Sequence, residues 1–142
     1  MTRDDFLEMM ENDLTIDADQ LDLFSINTPY LVGKYIKERS RFRGNLLHFK
    51  NKYSNLKKWK RDYYLGLQPK DVYDKEPFDL KIRKTDVDIY LETDTDLQEL
   101  HGKVELYEDL CESCNYVLKA LEQSGWNIKN AIADRNFKHG IV

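Results

Sequence analysis

Residues that break or cross-link a chain are scarce here: six glycines, three prolines and two cysteines among 142 residues. So few glycines and prolines exclude a flexible linker or a collagen-like repeat, and each one reads as punctuation between regular elements. Two cysteines do not make the disulfide framework of a small secreted domain. No apolar run approaches the length of a membrane-spanning helix, and no basic-then-apolar leader opens the chain. The expectation is therefore a soluble, intracellular protein without a membrane partner. Internal repeats are absent, and so is any Gly-rich phosphate loop, which removes the usual signature of nucleotide hydrolysis.

Charge is abundant instead. At 34% charged and 41% hydrophobic residues, the composition suits an elongated helical or oligomeric protein better than a sphere, because so many charges need surface. The length fits one ordinary domain. The net charge of −4 conceals a strong segregation. Residues 1–30 hold Arg3 against eight acids, whereas residues 31–66 hold eleven cations against Glu38 and Asp62. A basic block inside an anionic chain is an address for a polyanion or an acidic surface. A merely solvated helix face would alternate signs for i,i+4 pairing.

Apolar spacing then predicts the elements. Residues 2–14 read as a short helix capped by Thr2, and another starts at Asp17 or Asp19. Thr28-Pro29 is either a fresh helix start or a kink. From Pro29 to Leu65 a long helix is expected, with Tyr35, Phe42, Phe49, Leu56 and Tyr63 recurring every seven residues and Gly66 ending it. Arg43, Lys50 and Lys57 line one flank of that stripe, and Arg61 continues the row. After a connector, Phe78–Ile82 and Val87–Leu91 alternate apolar with polar residues around Lys84-Thr85-Asp86, predicting a β-hairpin. Asp94 or Asp96 opens the clearest helix. In it Leu97, Leu100, Val104, Tyr107, Cys111, Cys114, Leu118 and Leu121 follow a 3,4 spacing, the seam of a coiled-coil contact and hence a candidate oligomerisation surface. Gly125 follows that helix, and a last short one runs from Trp126 toward a stop at Gly140. The predicted fold is mostly α, with long helices, coiled-coil-like packing and one small hairpin. Within one continuous domain, residues 1–66 form a helical basic region, 67–95 the connector and hairpin, and 96–142 the oligomerisation helices.

Three constellations compete for chemistry. Cys111-x-x-Cys114 has the spacing of half a zinc site or a redox dithiol, but His48, His101 and His139 are too scattered to complete it, and both thiols fall on the seam, where cysteine packs as a small apolar residue. Asp79-Leu80-Lys81 has the form of half a metal-nuclease site, without the second acid and larger sheet such a site needs. Neither points to an enzyme, a metal or a cofactor. The third is the stretch Lys57-Lys58-Trp59-Lys60-Arg61, leading into Tyr63 and Tyr64 with Lys52 just upstream. Cations neutralise backbone phosphates and release counterions. Rings offer platforms for unstacked bases, which single strands expose and duplexes hide. Lys57, Lys58, Lys60, Arg61, Arg43 and Lys50 are the candidate phosphate ligands; Trp59 and Tyr64, flanking the stripe, are the candidate base contacts. The competing reading is a coiled-coil scaffold or assembly protein with no nucleic-acid role.

The basic run leading into "RDYYLG", the segment "YDKEPFDLKIRKTDVDIYLETDTDLQ" and the closing "LEQSGWNIKNAIADRNFKHG" resemble, in order and spacing, the UvsY family of recombination mediators of T4-like bacteriophages. The resemblance covers nearly the whole chain. It implies cooperative binding of single-stranded DNA and assembly into a homo-oligomeric ring, a hexamer or heptamer, through the C-terminal region. It also implies loading of a phage RecA-like recombinase (UvsX-type) onto strands coated by the phage single-strand-binding protein, during homologous recombination, repair and replication in the cytoplasm of the infected host. The family's DNA-binding motif, Leu-Lys-Ala-Arg-Leu before Asp-Tyr-Tyr, places its Lys on Lys58 and its Arg on Lys60. Lys57, Trp59 and Arg61 replace its Leu, Ala and Leu, so this chain adds two cations and exchanges a guanidinium for an ammonium.

Overall fold

Thr2 sets the first helix. Its hydroxyl accepts from the Asp5 N–H at 3.1 Å while the Asp5 carboxylate accepts from the Thr2 N–H at 2.9 Å, so two of the amides a helix start leaves unpaired are satisfied reciprocally. The helix, α1, spans Arg3–Leu14. The computed structural model to which it belongs describes residues 2–140. Every regular element among them is helical: a single 3₁₀ turn at Ala18–Gln20 follows α1, then α2 (Leu21–Tyr64), α3 (Lys70–Lys75), α4 (Val87–Glu92) and α5 (Thr95–Lys138).

Both long helices run further than local punctuation suggests. Pro29 lies inside α2 and does not start a new helix. The carbonyl it leaves without a helical partner belongs to Ser25, an exposed residue that water can serve. At its other end α2 stops as expected. Gly66 adopts φ +77, its N–H donates to the Tyr63 carbonyl at 3.2 Å, and the Leu67 N–H reaches the Asp62 carbonyl at 2.8 Å, a closing arrangement that a side chain at Gly66 would strain. Gly125 likewise fails to break α5. Its cost of about 1 kcal/mol relative to alanine is outweighed by burial on either side, at Leu121 and Ile128. Gly140, with φ +70, is the stop.

The predicted hairpin is absent. Residues 77–83 are irregular, 84–86 form a turn, and Val87–Glu92 is the helix α4. The alternation over these few residues also fits a helix face, because Val87 and Leu91 stand one turn apart and both are buried while Ile89 is exposed. A lone two-stranded hairpin is marginal in water, whereas the helix sets Val87 and Leu91 against Leu97.

The chain forms two compact units, each supplied by both long helices: one from the described residues up to Arg43 and from Glu108 onward, the other Gly44–Tyr107. They cut across the three segments read from sequence. In the first unit Phe6 of α1 is fully buried edge-on to Tyr35 and Phe42 of α2, at 6.1 and 5.5 Å between ring centroids. Asp13 accepts from Lys34 Nζ and from the Tyr35 hydroxyl, both at 2.7 Å, and Arg39 of α2 donates to Asn115 of α5 at 2.7 Å. In the second unit Val87, Leu91 and Leu97 form a cluster against which Tyr53, Leu56, Tyr64, Leu65 and Ile82 pack. Phe49 of α2 stacks on Tyr107 of α5 at 5.5 Å.

These contacts occupy much of the α5 seam within one copy. Leu97, Val104, Cys111, Cys114 and Leu121 are buried, and Leu100, Tyr107 and Leu118 half-buried, within the single chain. A 3,4 spacing shows that a helix requires a partner but not which copy supplies it; here residues of α2 do. Cys111 and Cys114 are packing residues, as expected. Burial pushes the Cys114 thiol up to about 11 and raises Cys111 as well, the latter opposed by Arg43 and Arg39. Both stay protonated at neutral pH.

Phe6 is the ring through which α1 joins its unit. Phe6→Ala is expected to lower unfolding stability by about 3–5 kcal/mol, measured by chemical denaturation; a change within experimental error would show that α1 is not part of the cooperative core.

Candidate nucleic-acid interface

Tyr53, Leu56, Lys60 and Tyr63 are spaced 3, 4, 3 along α2, so Lys60 occupies the apolar stripe and is carried inward. Only 8% of it is exposed. Its ammonium lies 2.8 Å from Asp96 Oδ2 and 3.2 Å from Asp94 Oδ2. Asp94, also buried, accepts from the Tyr64 hydroxyl at 2.6 Å. Its other oxygen caps α5 by accepting from the Leu97 N–H at 3.0 Å. One carboxylate therefore ties the end of α2 to the beginning of α5.

Burial opposes both charges, yet the contacts prevail. Desolvation works to raise the Asp94 pKa, but hydrogen bonds from Tyr64, the Leu97 amide and Lys60 hold it below the usual carboxylate value. Desolvation works to lower Lys60, and Asp96 and Asp94 together hold it above the usual lysine value. The Tyr64 hydroxyl is pushed up to about 12 by burial and by Asp94, so it stays a donor at neutral pH.

This network supports an outward set of cations. At 100° per residue, an inward Lys60 leaves Lys57, Lys58 and Arg61 on a neighbouring arc of α2, and all three are exposed. Lys57 Nζ stands 5.9 Å from the centre of the Tyr53 ring. Lys50, two turns earlier, is exposed in the same unit; Arg43 is an exposed residue of the other unit. The sequence-derived set is thus divided. Lys60, matched by two carboxylates, and Tyr64, half-buried among Tyr63, Phe78 and Tyr90, lie beneath the surface as its support. Trp59 is 36% exposed but lays one ring face on Tyr63, at 5.6 Å and 9° between planes. Asp79, the residue of the nuclease-like triplet, sits in the irregular segment and not on a strand.

Sequence reasoning missed Asp96 as a counterion and saw Asp94 only as a cap. The signal was available: Leu46, Tyr53 and Lys60 fall seven apart, and a lysine on an apolar stripe calls for an acid nearby.

The model of a family described as recombination, repair and single-stranded-DNA-binding protein UvsY matches residues 9–141. This chain belongs to the UvsY family. Crystal structures of the bacteriophage T4 recombination mediator protein UvsY share its fold. One lattice form superposes with a TM-score of 0.85 at 23% identity, covering 98% of each chain. A second gives 0.83 at 21% identity over 97% of this chain and 99% of that one, and a third 0.82 at 23% over 94% and 98%. No curated protein matches the chain. The UvsY family is one of DNA-binding recombination and repair proteins. Among the described residues no helix is long and apolar enough to cross a membrane.

Replacing Asp94 with alanine removes the α5 cap and the buried partner of Lys60, leaving that ammonium to Asp96 alone. The expected loss is about 2–3 kcal/mol, read by urea denaturation. Linkage gives the pH window. The Asp94 contribution is present above its unfolded pKa, about 4, and lost as pH falls through its lower folded value. The Lys60 contribution is present below its unfolded pKa, about 10, and lost as pH rises through its higher folded value. A stability difference between the parent and Asp94→Ala that does not shrink in acid would contradict this assignment.

Proposed function

We propose that this protein is a recombination mediator that binds single-stranded DNA through Lys57, Lys58 and Arg61, with Lys50 adding to the same arc of α2. So bound, it promotes loading of a RecA-like recombinase onto strands coated by single-strand-binding protein, in phage recombination, repair and replication in the host cytoplasm. The observation that carries the reading is three exposed cations within five residues of one helix, held outward by the buried Lys60–Asp94 pair. UvsY membership supports it. Such a patch is small, so affinity would come from several copies engaging one strand, each raising the effective concentration for the next. A ring of six or seven protomers supplies that arrangement.

The copies need a contact surface other than the seam, which is internal. The C-terminal third of α5 offers one. Trp126 and Phe137 are 60% and 83% exposed and stand three turns apart on the same side of the helix, two large rings that a facing helix would cover. A second copy of the chain is the proposed occupant, consistent with assembly through the C-terminal region.

The triple change Lys57→Ala/Lys58→Ala/Arg61→Ala is expected to weaken binding to an oligonucleotide. It should also flatten the dependence of log K on log salt by about 2, from roughly 0.7 per lost phosphate contact. An unchanged affinity and slope would remove this surface from the mechanism, and binding no better than a control protein at moderate salt would favour the scaffold reading. For assembly, Trp126→Glu/Phe137→Glu should shift sedimentation to smaller species while the melting temperature attributable to the single chain is retained. An unaltered mass would place the subunit contact elsewhere.

A further inference from the structure

In the Gly44–Tyr107 unit a cleft of about 210 Å³ opens between Tyr53 of α2, Leu91 and Glu92 of α4, and Leu97, Gln98 and His101 of α5. Leu91 and Leu97 are buried and give it an apolar floor. The rings of Tyr53 and His101 adjoin one another in its lining, with centroids 5.8 Å apart and planes tilted by 47°. Gln98 is held across the rim by donating to the Glu92 carbonyl at 3.0 Å, and His101 Nε2 lies 3.0 Å from Glu105 Oε1.

We propose that this cleft receives one unpaired nucleobase of a bound strand while Lys57 takes a phosphate of the same or the adjoining nucleotide. The proposal rests on the single-strand reading above and adds to it a base subsite. Two observations carry it. The cleft combines adjoining aromatic rings with an apolar floor, a surface against which a flat aromatic base can stack whatever its identity. Its charges are graded: Glu92 in the lining and Glu105 behind His101 repel a phosphate, while Lys57 Nζ, 5.9 Å from the Tyr53 ring, attracts one. A nucleotide would therefore enter base first, with its anionic end outside. A paired base in a duplex could not enter, so the subsite selects single strands.

The test compares the intact protein on an oligothymidylate and on an abasic oligonucleotide of equal length and charge. The parent should prefer the base-bearing strand by about fivefold or more, the lower end expected for one stacked base. His101→Ala, at an exposed position, should bring that ratio toward one without changing affinity for the abasic strand. So should Tyr53→Leu, which keeps the apolar packing. Equal affinity of the parent for both strands, a preference retained in both variants, or an equal loss on both strands would overturn the cleft while leaving single-strand binding standing. Failure of the parent to bind either strand in dilute salt would overturn the single-strand reading itself, and the cleft with it.

Discussion

A lysine that cannot reach water must find carboxylates, and Lys60 finds Asp94 and Asp96. Moving either charge of the buried pair out of water is costly, and an incomplete set of partners would leave it a net liability. Here the set is complete. Asp94 takes one hydrogen bond from Tyr64, one from the start of α5 and the charge of Lys60. Because the pair is directional where apolar packing is not, it fixes which face of α2 meets the α5 start. The orientation of Lys57, Lys58 and Arg61 follows from helical geometry alone once Lys60 is committed inward. Burial of one cation thus determines the exposure of the others.

The same logic joins electrostatics to function. An acidic chain that gathers eleven cations within 36 residues carries self-repulsion along one helix, which the fold relieves only in part. Lys60 is neutralised internally, and the outward cations retain a field that a strand of phosphates would relieve by displacing counterions. Aromatic residues divide in a parallel way. Tyr63, Tyr64, Tyr73, Phe78 and Tyr90 pack against one another beneath the basic run, so their ring faces serve the packing of this unit.

Much of the fold was legible because its signals are local. The Thr2 cap, the Gly66 and Gly140 stops, the Asp94 cap and the heptad stripes each depend on residues within a turn or two. The misread elements depended on distant ones. Val87–Glu92 could alternate as a strand or turn as a helix, and Leu97, packed against it, favours the helix. Gly125 could end a helix, but the burial of Leu121 and Ile128 carries α5 through it. The α5 seam was legible residue by residue but its partner was not, since periodicity is the same whether the facing helix belongs to this copy or another.

For the candidate site the division is similar. The sequence by itself determined that this chain is helical, that its positive charge is concentrated on one long helix, and that rings accompany it. These follow from spacing and composition, which need no knowledge of contacts. Which cations face solvent, which ring is enclosed and where a cleft opens were decided by tertiary structure alone. They depend on Asp94, Asp96 and His101 coming from α5 and its start to meet α2 across more than 30 residues of chain, and no local pattern encodes a meeting at that separation.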